Sequence, residues 1–139
     1  MISFIYMLNP FPSLFDFSLF APLLLRIVAG CIMIGFGKTH LRYESSWKSF
    51  FEMIGLRPAK FFVVLLGALE VIAGVMLVAG GGVQIAAIFA AVVTAAAIAI
   101  EYQNESLLRR DLVFYILLLS VFLSLIVTGA GLYALDLPL

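Results

Sequence analysis

Residues 61–82 read FFVVLLGALEVIAGVMLVAGGG, an apolar run with a single charge, Glu70, near its middle. Residues 17–37, FSLFAPLLLRIVAGCIMIGFG, repeat the pattern with the opposite sign at Arg26. Both runs are long enough to cross a bilayer, which takes about 20 residues of helix. A charge at mid-membrane costs about 2.5 kcal/mol or more, so it must face protein or water and have a partner. One charge of each sign, each inside its own run, makes the pairing of the two the first question.

Composition sets the class. With 65% hydrophobic residues, 12% charged residues and a mean hydropathy of +1.21, the chain has too little polar surface to cover a soluble core. Two further runs, Val83 to Ile100 and Leu112 to Gly131, carry no charge. The expectation is an all-α membrane protein. It forms one domain over 1–139, a four-transmembrane-helix antiparallel bundle with helices at about 17–37, 61–81, 83–101 and 112–130. Met1 to Leu8 is apolar but lacks a basic leader, and Asn9-Pro10-Phe11-Pro12-Ser13 interrupts it. It therefore reads as a retained N-terminal interfacial segment rather than a cleaved signal.

Seven of the eight Lys and Arg residues fall in two loops: Lys38, Arg42, Lys48, Arg57 and Lys60 in the first, Arg109 and Arg110 in the third. The positive-inside rule places loops 38–60 and 101–111 in the cytoplasm and both termini outside. The lipid bilayer is the expected surrounding. A homo-oligomer or other membrane-protein subunits are the expected partners, and nucleic acid is not.

Helix geometry suggests that the two buried charges meet. Arg26, Gly30, Met33 and Gly37 lie on one stripe of the first helix, and Gly67, Glu70, Gly74 and Gly81 on one stripe of the second. Counted from the ends of the runs, Arg26 is about 14 Å deep and Glu70 about 14 to 18 Å from either end. Glycines beside each charge permit close backbone approach, as membrane helices require in the absence of a hydrophobic drive between them. A direct Arg26–Glu70 ion pair is expected, either as an assembly clasp or as the wall of a ligand pocket. In the third helix Ala87, Ala91, Ala95 and Ala99 recur every four residues and form a small-residue packing face. Gly80-Gly81-Gly82 makes the second and third helices adjacent and antiparallel.

Several chemistries are excluded or weakened. Cys31 is the one cysteine, so no internal disulfide or dithiol exchange is available within one chain, and it lies about 140° from Arg26 around the helix. His40 is the one histidine, which rules out a bis-His haem or a His-rich metal site built from one protomer; it is expected to decorate the end of the first helix with Lys38 and Arg42. Gly35-Phe36-Gly37-Lys38-Thr39 lacks the spacing of a phosphate loop. No catalytic set, metal site or resident cofactor is expected in the isolated chain.

Taken together, Leu23-Leu24-Leu25-Arg26, Gly35 to Lys38, Ile54-Gly55-Leu56-Arg57-Pro58-Ala59, Leu69-Glu70-Val71-Ile72-Ala73-Gly74-Val75-Met76-Leu77 and Gly129-Ala130-Gly131-Leu132-Tyr133-Ala134-Leu135-Asp136 resemble the DoxX family. The resemblance runs in order along almost the whole chain. It implies a small four-helix protein of the bacterial inner membrane, of a kind often described as an oxidoreductase because relatives form the membrane part of thiosulfate:quinone oxidoreductase or associate with redox-stress partners. The stretch before the fourth helix departs from the family pattern of a histidine or aromatic-rich segment followed by Glu. Here Glu101-Tyr102-Gln103-Asn104-Glu105 leads to Arg109-Arg110-Asp111, with Asp111 the nearest equivalent acid. Two functions follow as expectations: a non-catalytic accessory, scaffold or assembly subunit of a larger membrane complex, which is favoured, or the membrane subunit of a quinone- or thiol/sulfur-linked oxidoreductase using an Arg26/Glu70 pocket, with quinone as its cofactor.

Overall fold

The computed structural model describes residues 17–18, 20–42, 45–103 and 112–135. Within them lie α1 (Phe20–Arg42), α2 (Ser45–Met53), α3 (Ala59–Ala79), α4 (Val83–Gln103) and α5 (Leu112–Thr128). Helices α1 and α3 and residues Val83–Ile100 of α4 are each long and apolar enough to span a membrane. Helix α5 is apolar but has 17 residues, about 26 Å of helix against a hydrocarbon core of about 30 Å. The expected N-terminal interfacial segment, Arg109, Arg110, Asp111 and Asp136 lie outside the described residues.

Helix ends shift by two or more residues from the sequence reading, and two differences bear on the site. The first helix does not stop at Gly37 but continues to Arg42, carrying Lys38 and His40 with it. Ending an apolar run at its first charge marks where hydrocarbon ends, not where backbone hydrogen bonding ends. The Thr39 hydroxyl, donating to Gly35 O at 2.9 Å, lies within this extra turn. The loop expected at 38–60 contains α2, whose Trp47, Phe50 and Phe51 follow helical spacing and pack with Val63 and Ile100.

Burial is inverted relative to a soluble protein. Leu24, Val28, Ile72, Val75, Ile85, Val92, Leu117 and Val127 are exposed, whereas Arg26, Glu70 and Thr94 are buried. That distribution suits lipid as solvent, because the outer faces meet acyl chains and polar groups must find partners inside. The Thr94 hydroxyl donates to Ala90 O at 2.7 Å and the Ser120 hydroxyl to Ile116 O at 2.9 Å, so each is satisfied within its own helix.

The tightest packing joins α1 to α3. A Cβ on Gly30 would come within 2.7 Å of Gly74 O, and one on Gly37 within 2.5 Å of Gly67 O. Thus 30 lies beside 74 and 37 beside 67, which makes the two helices run in opposite directions at backbone contact distance. The turn to α4 is equally constrained. Gly80 caps α3 in the left-handed region (φ 77°), with its N–H and that of Gly81 both bonded to Met76 O at 2.8 and 3.1 Å. Gly82 (φ 63°) then offers its carbonyl to Ala86 N–H, starting α4. Helix α4 returns along α5, where Val83, Ala86, Ala87, Ala90 and Ala91 join Leu118, Phe122 and Leu125 in the central cluster. Gln84 Nε2 donates to Ile126 O at 3.1 Å, so the start of α4 meets the end of α5.

The alanine face of α4 is only partly as expected. Ala87 and Ala91 are buried, but Ala95 and Ala99 are exposed, and burial passes instead to Thr94, Ala97 and Ile100. A strict four-residue repeat advances about 40° further than one turn at each step. After two more steps it has rotated off the packed side.

Candidate functional site

The register of α1 against α3 decides which charges can meet. Contacts pair Gly30 with Gly74 and Val78, and Gly37 with Gly67 and Val71, so facing residue numbers sum to 104 to 108. Arg26 therefore lies level with residues 78 to 82, and Glu70 level with residues 34 to 38. They are eight to twelve residues apart along the axis, roughly 12 to 18 Å. Side chains on a helix also lean toward its N-terminus. Because α1 and α3 are antiparallel, Arg26 leans toward the α3–α4 turn and Glu70 leans the other way. The expected direct ion pair is thus replaced by two separate arrangements at opposite ends of the helix pair.

At the turn end, Arg26 is 2% exposed. Its Nη1 donates to Ala130 O at 2.9 Å, and its Nη2 to Leu132 O at 3.1 Å and Tyr133 O at 2.7 Å. These acceptors belong to the segment after α5, in which Gly129 (φ 72°), Gly131 (φ 70°) and Tyr133 (φ 53°) all take the left-handed conformation. The reversals turn successive carbonyls toward one point, which the guanidinium fork fills. Gly80 completes the cradle, because a Cβ there would overlap Arg26 Nη1 and approach Ala134 Cα at 2.8 Å. Arg26 therefore ties α1, the α3–α4 turn and the chain after α5 into one cluster. The sequence signal was the Gly-x-Gly-x-Tyr segment 129–133, where glycines following a helix call for positive φ.

At the α2 end, Glu70 is 1% exposed and pairs with His40, with Nδ1 and Oε2 2.5 Å apart. His40 leans down α1 and Glu70 leans down α3, so the lean that separates Glu70 from Arg26 brings it to His40. His40 is not the helix-end decoration expected of it. Its side chain is 12% exposed, and its ring meets Trp47 of α2 at a centroid distance of 5.0 Å and an angle of 69°. Phe36 and Tyr115, 6.1 Å apart, close the other side. Between them lies a cavity bordered by Met33, His40, Trp47, Glu70, Thr94 and Tyr115 that leaves about 20 Å³ for the centre of a water-sized molecule. That is room for about one water. Among the described residues, no third His, Cys, Asp or Glu joins the pair to make a metal site.

Of the other residues singled out, Gly30, Gly37, Gly67 and Gly74 all line the α1–α3 contact, and Cys31 faces outward. The pairing of Glu70 with His40 was legible only if α1 was carried past Lys38.

The DoxX family model matches residues 21–103, from the start of α1 through α4. The chain belongs to the DoxX family. Comparison with curated proteins and with solved structures gives no match.

Proposed function

We propose that this DoxX-family chain is a four-span antiparallel bundle of the bacterial inner membrane that serves as an accessory, scaffold or assembly subunit of a larger membrane complex. Its α2 end and the connection before α5 face the cytoplasm, and both chain ends face outward, following the clustering of cations in those loops. The observation that carries the reading is the use made of Arg26. Its guanidinium donates to three carbonyls of its own chain, so the cation within the first apolar run serves assembly of the bundle rather than display of a positive charge to a ligand. The cavity beside Glu70 supports the same reading, because about 20 Å³ takes a water and not a quinone ring.

Native purification in mild detergent followed by mass spectrometry of co-purifying chains tests this. The expected result is a defined set of membrane-protein partners or a homo-oligomer, with no quinone reduction by the isolated chain. A partner-free sample that reduces a quinone analogue with a sulfur or thiol donor, and loses that activity in a folded Glu70→Gln variant, would replace this reading with the enzymatic one.

That second reading, a membrane subunit of a quinone- or thiol/sulfur-linked oxidoreductase with quinone as cofactor, is favoured by one feature: the His40–Glu70 couple is an acid–base pair beside a cavity. It requires the cavity to widen when a partner binds.

A further inference from the structure

We propose that His40 and Glu70 form a reversible proton-binding site, covered by Trp47 and served by a single water seated in the adjoining cavity. The inference is independent of whether the chain is an accessory subunit or part of an oxidoreductase. An Nδ1 to Oε2 separation of 2.5 Å requires a hydrogen between the two atoms. With the imidazole neutral, that hydrogen sits on Nδ1, Nε2 is a bare acceptor, and the pair carries the carboxylate's single negative charge. One proton added at Nε2 from water converts it to an imidazolium–carboxylate pair of zero net charge, and loss of that proton reverses the step. No other bond changes and no electron moves.

The surroundings make this pair the natural place for the proton to act. Helix α4 presents Val93, Thr94 and Ala97 to the cavity, and the Thr94 hydroxyl proton is already given to Ala90 O. Helix α5 presents Tyr115 and α2 presents Trp47, while Lys38 and Arg42 of α1, Lys48 and Glu52 of α2 and Lys60 of α3 are exposed. Among the described residues, then, the His40–Glu70 couple carries the only formal charge that lines the cavity. Arg26, by contrast, donates to three backbone carbonyls and holds the segment after α5. Histidine is the side chain whose charge changes near physiological pH. Its partial exposure, against 1% for Glu70, marks the imidazole as the route to the outside. An imidazolium is also drawn to the indole it touches, so the proton strengthens the hold on α2 through Trp47.

One histidine and one tryptophan in the whole chain make the site directly readable. Imidazolium in ring contact quenches indole emission, so in lipid nanodiscs the fluorescence of the intact protein should fall reversibly on acidification from about pH 9 to about pH 5. The transition should vanish in His40→Gln and move along the pH axis in Glu70→Gln. A flat profile, or one that persists in His40→Gln, overturns the proposal. If the variants do not fold, ¹⁵N-imidazole NMR of the unmodified protein decides. A ring with hydrogen-bonded Nδ1 that gains its second proton within that range is expected, and a ring fixed in one protonation state throughout, or with an unbonded Nδ1, overturns it.

Discussion

The two ends of the α1–α3 pair use buried charge in opposite ways. At the turn end a permanent cation is solvated by backbone: three carbonyls, aligned by left-handed residues after α5, stand in for water around Arg26. At the α2 end an anion is met by a titratable side chain on the neighbouring helix, beside a cavity and under an indole. The first arrangement has one protonation state and many constraints. The second pairs two side chains beside a solvent-sized space. A backbone clasp and a side-chain pair beside a cavity thus lie at opposite ends of the α1–α3 pair, and the glycine-lined helix contact between them holds the two in register.

The largest expected effect breaks the turn end. Arg26→Met leaves three converging carbonyls without donors and should destabilise the fold by about 3 to 5 kcal/mol, measured by reversible denaturation in mixed micelles. The segment after α5 should become protease-sensitive at the same time. A loss under about 1 kcal/mol would mean that the cradle contributes little. Next in size is Gly80→Ala, which meets both a positive φ and the guanidinium itself. A loss of about 2 to 3 kcal/mol is expected in the same assay, and it should shrink in an Arg26→Met background, where the overlap is gone. Equal losses in the two backgrounds would leave the backbone conformation and the approach to Ala134 Cα as the cause.

A smaller change sharpens the contrast. His40→Gln keeps a hydrogen-bond donor within reach of Glu70, so it should cost only about 1 kcal/mol. It should nevertheless loosen α2, seen as a red shift of Trp47 emission as the indole loses its ring partner. An unchanged emission maximum would show that the packing of α2 against Val63 and Ile100 holds it without the His40 ring.

What could be read without coordinates was whatever depends on local periodicity. Three of the four spanning runs, the close approach at Gly30, Gly37, Gly67 and Gly74 and the tight turn at Gly80 follow from local spacing and are seen in the structure, whereas the fourth run forms a shorter apolar helix. Partner choice did not follow, because it depends on axial register and on the direction in which side chains lean, and neither is written in a single helix. Arg26 and Glu70 matched in depth when counted from the ends of apolar runs, yet α1 begins at Phe20 and extends to Arg42, which shifts the frame. The polar ends of helices, where His40 and Trp47 lie, were invisible to a count of apolar residues. Their signal was Trp47, Phe50 and Phe51 at helical spacing within a charged loop. Ala95 failed for the opposite reason, an exact repeat that a helix of 3.6 residues per turn cannot keep on one side.

The smallest expected quantity tests the comparison most directly. If the two charges belong to separate ends, the stability losses of Arg26→Met and Glu70→Gln should add in the double variant within about 0.5 kcal/mol, because residues this far apart, sharing no partner among the described residues, do not couple. The His40→Gln and Glu70→Gln pair, in contact at 2.5 Å, should miss additivity by about 0.5 to 3 kcal/mol. Both cycles share the Glu70 variant, so any general weakening of α3 cancels between them and only the identity of the partner remains. Recovery of stability on adding Arg26→Met to Glu70→Gln would restore the direct ion pair and with it a single charged centre. Additivity there, with coupling at His40, means that each end can be altered without disturbing the other.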